Sequence, residues 1–104
     1  QFARAKGFDT FCPVGPWIVR GMPQGAVAVR CRVNGELRQD GNTAQMIHPL
    51  AALVAFMSRA MTLEPGDLVS TGTPAGVGRI VAGDLVEVEI EGIGVLSNPI
   101  RSEE

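Results

Sequence analysis

Residues 26–40, AVAVRCRVNGELRQD, carry the clearest structural signal in the chain. Valine or cysteine occupies every second position from 27 to 33, and the two arginines lie between them, which is the period of a strand with one buried face. Asn34-Gly35 follows at once and tolerates the positive φ angles of a type I′ turn. Since the residues after the turn can pair back onto the first strand, we predict a β-hairpin over residues 26–40.

Residues 49–61, PLAALVAFMSRAM, predict an amphipathic helix. Pro49 suits the first helical position, where the missing N–H would have had no partner. At about 1.5 Å per residue the helix would be about 20 Å long, enough to cover one face of a small sheet. We expect its apolar stripe to lie in the core. The stripe has helical spacing and consists of Leu50, Leu53, Val54, Met57 and Met61.

The sequence Gly-Asp-Leu-Val occurs twice, at residues 66–69 and 83–86. Each copy combines a turn signal with the start of an apolar run. We therefore predict a turn followed by a strand at both places, with the first strand covering residues 68–70.

Beyond the second copy, valine and isoleucine alternate with glutamate. Gly92-Ile93-Gly94 then reverses the chain into residues 95–100, so we predict a second hairpin. We interpret Glu87, Glu89 and Glu91 as the solvated face of an edge strand and not as metal ligands. About five or six short strands and one helix predict an α+β chain that is mainly β.

Composition bounds the class of protein. With 104 residues, 45% of them hydrophobic, the chain has room for one core, and we expect one domain or a piece of one. The 9 Lys and Arg and the 11 Asp and Glu are spread without runs, which argues against nucleic-acid and membrane partners. No apolar stretch approaches the ~18 residues of a membrane span. Cys12 and Cys31 lack metal-site or disulfide spacing, so we expect reduced thiols in a soluble, cytoplasmic protein.

Aromatic residues are concentrated at the start of the chain, which begins with Gln1 and not with Met. Four of the five aromatics fall within the first 17 residues, where we identify no periodic element to bury them. Because so dense an apolar patch is rare on a finished monomer, we expect Phe8, Phe11 and Trp17 to be buried against upstream chain or a second subunit.

Two stretches rich in glycine, proline and threonine are candidates for chemistry. In residues 6–17, KGFDTFCPVGPW, Lys6 lies among apolar and turn residues, where a partly desolvated ammonium can serve as an electrophile or proton donor. The alternative is an ordinary solvated lysine. Residues 70–78, STGTPAGVG, follow a predicted strand, and glycine amides with the Thr73 hydroxyl can form an anion cradle. Because the stretch lacks the Gly-Lys-Ser/Thr ending of a phosphate-binding loop, we do not expect a nucleotide.

Two further polar features have ordinary structural explanations. We interpret residues 38–43, RQDGNT, as a polar exit from the hairpin, ordered by Asx and threonine turns. His48, the only histidine, precedes Pro49 and is expected to cap the helix or fill a turn. No local Ser-His-Asp or Cys-His arrangement supports nucleophilic catalysis.

Four stretches, in order along the chain, resemble the C-terminal half of the catalytic domain of the fumarylacetoacetate hydrolase family. No one of them is decisive, but the ordered set is specific, and the likeness is to the acylpyruvase and hydroxymuconate-type isomerase branch. The stretches are KGFDTFCP with GPW in residues 6–17, VNGE with RQ in residues 33–39, MTLEPGD continuing into TGTPAGVG in residues 61–78, and GD, VEV and IEGIG in residues 83–94.

The resemblance implies a mixed, rolled β-sheet with one amphipathic helix, a homodimer, and Mg²⁺ or Mn²⁺ as cofactor. In the family, two glutamates of a Glu-x-Glu strand and one aspartate hold the metal, all of them N-terminal to the Lys6 stretch. Residues 1–104 would then be a partial catalytic domain, the C-terminal portion, with the metal-ligand strands upstream of Gln1. Glu87-x-Glu89 copies the spacing but follows the Gly-Thr-Pro loop, so the metal role does not transfer to it.

The resemblance also implies roles for individual residues. Lys6 matches the lysine beside the metal and the substrate, and it is the expected catalytic residue. Thr73, with Gly72, matches the loop whose hydroxyl and amides bind the carboxylate or enolate oxygens of the substrate. Thr10 matches a position that lines an ion site in some members, and it is the one candidate metal contact within the chain.

The implied substrate is a 2-oxo or enol carboxylic acid that reacts through a metal-bound enolate. We predict hydrolysis of a C–C bond in an acylpyruvate or fumarylacetoacetate-like substrate. If only a proton moves, the enzyme is an isomerase or tautomerase of the 2-hydroxyhepta-2,4-diene-1,7-dioate type, and if carboxylate leaves it is a decarboxylase. An alternative of another class is a non-catalytic β-rich interaction module. A Glu-x-Glu strand followed by an aspartate ahead of Gln1 would decide for the enzyme.

Overall fold

The computed structural model of the chain describes residues 1–22 and 25–102. The four strands in this part of the chain form one sheet in the order β2-β1-β3-β4, and every neighbouring pair is antiparallel. The fold is α+β and mainly β, as predicted, although these strands contain no parallel pair of the kind a mixed sheet requires. The elements are α1 (Phe2–Lys6), β1 (Ala28–Val33), β2 (Glu36–Asn42), a 3-10 helix (Thr43–Gln45), α2 (Leu50–Ala60), β3 (Leu85–Ile90) and β4 (Gly94–Pro99).

The predicted hairpin is confirmed. β1 and β2 pair around Asn34 and Gly35, whose φ angles of 53° and 80° are both positive, as a type I′ turn requires. Asn34 also holds the start of β3. Its side-chain nitrogen donates to Asp84 Oδ1 at 2.8 Å, and its Oδ1 accepts from the Leu85 N–H at 2.8 Å. The hairpin turn is thereby joined to the third strand.

A β-bulge interrupts the pairing of β1 with β2. The register shifts just after Cys31, which pairs with Gln39, and the shift leaves Arg38 as an extra residue on β2. Without the bulge, Gln39 would pair with Arg30 on the charged face of the sheet. Because a slip of one residue moves a side chain to the opposite face, the bulge places Gln39 on the face of Cys31.

The polar segment after the hairpin is mostly strand, not the turn-rich exit that its composition predicted. β2 continues to Asn42 because pairing with β1 resumes after the bulge. Asn42 then caps the 3-10 helix in a reciprocal pair with Gln45, and Thr43 Oγ1 accepts from the Val27 N–H at 2.9 Å. The expected side-chain turn bonds are therefore present, but only beyond residue 41.

Both Gly-Asp-Leu-Val copies form the same turn, and only the second continues as a strand. Asp67 accepts from the Glu64 N–H at 2.8 Å, and Asp84 accepts from the Val81 N–H at 2.8 Å. The hydrogen bond from the Val81 N–H, and to a smaller extent the one from the Asn34 side chain, hold the pKa of Asp84 below its ordinary value. Residues 68–70 form no strand, so that prediction is wrong. None of the described strands pairs with them.

β3 is an interior strand and not the edge strand that the glutamate pattern predicted, because β1 pairs on one side of it and β4 on the other. Its charged face is real. Glu89 accepts from Arg32 Nη1 at 2.7 Å and lies 3.8 Å from Arg30 Nη1. The Arg32 hydrogen bond holds the pKa of Glu89 below its ordinary value. Glu91, directly after the strand, accepts from the Ala28 N–H at 3.1 Å, so Glu89 and Glu91 tie β3 to β1.

Much apolar surface is left uncovered. The chain has an accessible surface of 8714 Å², whereas surface scaling gives about 5,600 Å² for a folded monomer of 11.0 kDa. Only Val27 and Val33 are buried among the apolar side chains described. The extensive packing lies between strands. The apolar stripe of α2 is not in a core as expected, since Leu50 and Val54 are 38% and 44% exposed and Met61, just after the helix, is 60% exposed. None of the described helices has the length and apolarity of a membrane span.

The start of the chain contains one element that sequence patterning did not predict, the five-residue helix α1. The rings of Phe8 and Phe11 pack together at 5.3 Å between centroids, yet both are largely exposed, and Trp17 is 64% exposed. Burial of these three residues in the intact protein stays a prediction.

Candidate functional site

The Gly-Thr-Pro loop, residues 71–78, lies against β2 and is held there by Gln39. Gln39 Nε2 donates to Thr73 Oγ1 and to the Pro74 carbonyl oxygen, both at 2.9 Å. Since a backbone carbonyl can only accept, the nitrogen of the Gln39 amide must face the loop. The loop therefore has a defined position relative to the hairpin.

Two glycines permit this close approach. A Cβ at Gly41 would lie 2.9 Å from Pro74 Cβ, which is closer than van der Waals contact allows. A Cβ at Gly76, where φ is 100°, would overlap the Arg38 carbonyl oxygen. Arg38 is the bulged residue of β2, so the bulge and the loop meet at Gly76. A side chain at either glycine would push the loop away from the strand.

Thr73, a predicted substrate-binding residue, borders a cavity of about 250 Å³. Its hydroxyl accepts from Gln39, which leaves its own proton for another acceptor. Val33, Val77 and Val86 are among the apolar residues that line the same cavity. Apolar walls with a few placed polar groups are typical of small-molecule sites. A larger cavity, about 500 Å³, lies beside the β3–β4 turn and contains none of the predicted site residues.

Gly72, the second predicted substrate-binding residue, precedes Thr73 in the exposed part of the loop. Its φ angle is 102°, and a Cβ built on it meets nothing within 4 Å. The backbone of the loop is therefore open on this side, and a ligand can approach it closely.

Lys6 and Thr10 lie on a separate segment at the start of the chain. Lys6 ends α1 and is exposed, with Nζ 5.7 Å from the centroid of the Phe2 ring. Thr10 has a φ angle of 68°, a conformation that a β-branched residue adopts rarely and that often marks functional positions. In the part of the chain that the structure describes, no hydrogen bond or ion pair joins either residue to Thr73. Their assembly with the loop into one site stays a prediction.

The described residues do not by themselves fit a divalent metal ion. Within residues 1–22 and 25–102, no group of three or more His, Cys, Asp or Glu side chains is placed to hold one. Glu89 is engaged by arginines, and His48 is exposed. His48 does not cap α2 as one prediction had it, because Pro49 occupies the cap position without a side-chain bond.

Gln39 is the site residue that sequence reasoning missed. The local composition places it in a polar hairpin exit, and its only sequence signal is its place in the Arg-Gln pair of the second matched stretch. Its role depends on the bulge at Arg38, which turns its side chain toward the loop. A bulge of this kind has no marker in the local sequence.

Comparison with known proteins gives a family and two informative solved structures. The family model for the Fumarylacetoacetate (FAA) hydrolase C-terminal region matches residues 1–101. The 2-hydroxyhepta-2,4-diene-1,7-dioate isomerase from Mycobacterium marinum is 53% identical with a TM-score of 0.95, over 100% of this chain and 42% of that one. Maleylpyruvate hydrolase from Sphingobium sp. SYK-6, solved in complex with manganese (II) ion and pyruvate, is 37% identical with a TM-score of 0.89, over 93% of this chain and 38% of that one.

Curated relatives are longer than this chain and have several activities. The 4-hydroxyphenylacetate degradation bifunctional isomerase/decarboxylase of Salmonella dublin is 46% identical over 97% of this chain and 24% of its own length. The chain spans 44% of a Methanocaldococcus jannaschii relative and 39% of a Mycobacterium tuberculosis relative. The relatives thus include isomerases, a decarboxylase and a hydrolase. Because the family model covers nearly all of the sequence and the solved structures share its fold, this chain belongs to the fumarylacetoacetate hydrolase family.

Proposed function

We propose that the intact protein carrying this chain is an enzyme that acts on 2-oxo or enol carboxylic acids, and that it hydrolyses a C–C bond of an acylpyruvate or fumarylacetoacetate-like substrate. In this proposal, residues 1–104 are the C-terminal portion of the catalytic domain. We further propose that the enzyme is a cytoplasmic homodimer.

The observation that carries the proposal is the contact of Gln39 with the Gly-Thr-Pro loop. It fixes the Thr73 hydroxyl at the border of an apolar cavity, with a proton available for a ligand oxygen. A carboxylate or enolate oxygen is the acceptor that such a donor serves best, because charge-assisted hydrogen bonds are about twice as strong as neutral ones. The related maleylpyruvate hydrolase was solved with pyruvate, which is a 2-oxo acid.

Thr73 and Lys6 then each have a defined task in hydrolysis. Water adds to the distal carbonyl of the acylpyruvate and the C–C bond breaks, so that the acyl part leaves as a carboxylic acid. The electron pair of the broken bond remains on the pyruvate fragment as an enolate, which takes up a proton to give pyruvate. Thr73 donates to the oxygen on which negative charge develops. Lys6 supplies a positive charge or a proton beside it, provided that the intact protein brings the two segments together.

The proposed cofactor is Mg²⁺ or Mn²⁺, and a related structure holds manganese. Since the described residues do not fit a metal by themselves, we place its carboxylate ligands upstream of Gln1. Thr10 is retained as a candidate contact to the ion site. The tasks given above to Thr73 and Lys6 do not depend on which of the two ions is bound.

The test is a product analysis of the intact protein with an acylpyruvate and with 2-hydroxyhepta-2,4-diene-1,7-dioate, with Mg²⁺ or Mn²⁺ in excess. Hydrolysis releases one pyruvate per acylpyruvate consumed, which lactate dehydrogenase detects as oxidation of NADH. Thr73→Val serves as the matched control, because it keeps the shape of the side chain and removes the donor. Absence of both turnover and binding with every 2-oxo acid tried would overturn the proposal.

Isomerisation is the second candidate, favoured by the 53% identity to the Mycobacterium marinum isomerase. It needs the same oxyanion donor but breaks no C–C bond. The same assay separates the two, because an isomerase changes the absorbance of the dienoate without releasing pyruvate or carbon dioxide. Release of carbon dioxide would instead indicate a decarboxylase.

A further inference from the structure

We infer that Gln39 is a positioning residue for the reaction: it holds the Thr73 hydroxyl with its lone pair engaged, so that the hydroxyl proton points to the substrate. The inference rests on the proposed function, since it assigns a task within the same site. It concerns a residue that contacts the loop and makes no claim of contact with substrate.

The direction of the hydrogen bond is decided by chemistry. Gln39 Nε2 lies 2.9 Å from the Pro74 carbonyl oxygen, which can only accept, so the NH₂ group must face the loop. The same nitrogen lies 2.9 Å from Thr73 Oγ1. An NH₂ group cannot accept a proton from a hydroxyl. Thr73 must therefore accept from Gln39, and its own O–H is free to donate elsewhere.

Two features of the backbone support this arrangement, one in β2 and one where the loop meets β2. The bulge at Arg38 moves Gln39 off the charged face, where its partner would have been Arg30. The close approaches at Gly41 and Gly76 bring the loop within reach of the amide. A donor whose lone pair is already engaged also donates more strongly, because hydrogen bonds in a chain polarise one another.

The competing explanation is that Gln39 is only a clip between two segments. In both explanations, removing the two hydrogen bonds of Gln39 lowers the activity. They differ when the polarity of the Thr73 bond is reversed. Because the Pro74 carbonyl oxygen can only accept, Gln39→Glu loses the Pro74 bond whatever residue stands at 73, so a clip loses as much activity with Val at residue 73 as with Thr. A positioning residue loses activity through the Thr73 hydroxyl, so its loss depends on Thr73.

Gln39→Glu reverses that polarity with little change of size. The introduced carboxylate accepts the Thr73 proton and withdraws it from the substrate, so we expect kcat/KM to fall by about 10–100-fold, the scale for loss of one hydrogen bond to a charged group. Below the introduced carboxyl's pKa, near 4.3 for an ordinary glutamate, its proton can again be donated to Thr73. The ratio of variant to wild-type kcat/KM should therefore rise as the pH falls toward that value.

Three further variants complete the test in the intact protein. Gln39→Met removes both hydrogen bonds and should show a smaller loss whose ratio to wild type is independent of pH. In the Thr73→Val background, Gln39→Glu should change kcat/KM by less than about twofold, because the two residues act as a unit. Gln45→Glu is the matched Gln-to-Glu control; its side chain accepts from the Asn42 N–H, which a carboxylate also does, so activity should stay unchanged.

The outcomes separate this inference from the proposed function. An intact wild-type protein that neither binds nor converts any 2-oxo acid overturns the proposed function and the inference with it. Two outcomes with an active wild type overturn the inference alone. In the first, Gln39→Glu lowers kcat/KM as much with Val at residue 73 as with Thr. In the second, Gln39→Glu and Gln39→Met lower kcat/KM equally at every pH. Non-additivity together with the acid-side recovery supports it.

Discussion

Substitution of Gly76 by alanine tests whether the Gly-Thr-Pro loop depends on its close approach to β2. Gly76 has a φ angle of 100°, and a Cβ there would overlap the Arg38 carbonyl oxygen. Gly66 is the matched control, because its φ angle is 103° and a Cβ built on it meets nothing within 4 Å. The two variants are matched in φ, and only Gly76→Ala carries the steric conflict.

The magnitude follows from the contacts that the loop would lose. A left-handed conformation costs an alanine about 1–2 kcal/mol, and this cost applies to both variants. In Gly76→Ala the loop must also move off the strand, which breaks the two hydrogen bonds of Gln39. At about 0.5–1.5 kcal/mol each, they add about 1–3 kcal/mol. We expect Gly76→Ala to lose about 2–5 kcal/mol of unfolding free energy and Gly66→Ala about 1–2 kcal/mol.

Urea unfolding of the intact protein, followed by circular dichroism, measures both values under one set of conditions. The activity of the same samples gives a second readout, since Gly76→Ala displaces Thr73 and should lower kcat/KM about 10-fold or more. Gly66→Ala should leave kcat/KM unchanged. Equal losses of stability in the two variants would refute the reasoning, because they would show that the loop does not need Gly76 to reach β2.

Three further predictions concern single side chains. Thr73→Val should lower kcat/KM on a 2-oxo acid by about 10–100-fold, equivalent to about 1–3 kcal/mol of transition-state binding, and unchanged kinetics would show that the hydroxyl points elsewhere. Lys6→Met should fold and keep its metal content, which a metal titration checks, while its kcat falls about 100-fold or more. Lys6→Arg should restore kcat only in part. A near-normal kcat in Lys6→Met would show that Lys6 is an ordinary surface lysine. Glu89 has a lowered pKa in the folded chain, so its contribution to stability is present above the ordinary glutamate pKa and is lost as the pH falls through the lowered value. Glu89→Gln should therefore be slightly less stable than wild type near neutral pH and equally stable in acid, and a difference that persists in acid would contradict the assignment.

The hairpin was predictable because all of its determinants are local. Alternation over residues 27–33 and the Asn34-Gly35 turn specify strand, turn and face within a short stretch. The two turns that end at Asp67 and Asp84 were predictable for the same reason. Whether a strand follows such a turn is decided elsewhere in the chain, by the presence of a partner strand. Residues 83–86 run into such a strand and residues 66–69 do not, although the two sequences are identical over four positions.

The position of Gln39 was not predictable, because it depends on a register shift and on a loop about 34 residues further along the chain. The edge assignment of β3 failed for a related reason. Alternation of apolar and charged residues indicates one polar face, and a polar face occurs equally on an interior strand when the neighbouring strand offers opposite charges. Here Arg30 and Arg32 of β1 provide them.

The two halves of the candidate site are held in place by different means. The half that contains Thr73 is positioned by residues of this chain, since Gln39, Gly41 and Gly76 fix the loop on the hairpin. Among residues 1–22 and 25–102, the half that contains Lys6 has local contacts only, namely the Phe2 ring under its ammonium and an exposed pair of phenylalanines beyond it. α1 has five residues and none of them is buried, so it is too short to be stable without packing against another surface. If the intact protein buries the aromatic residues of this segment, as we predict, the surface that covers them also sets the position of Lys6 relative to Thr73.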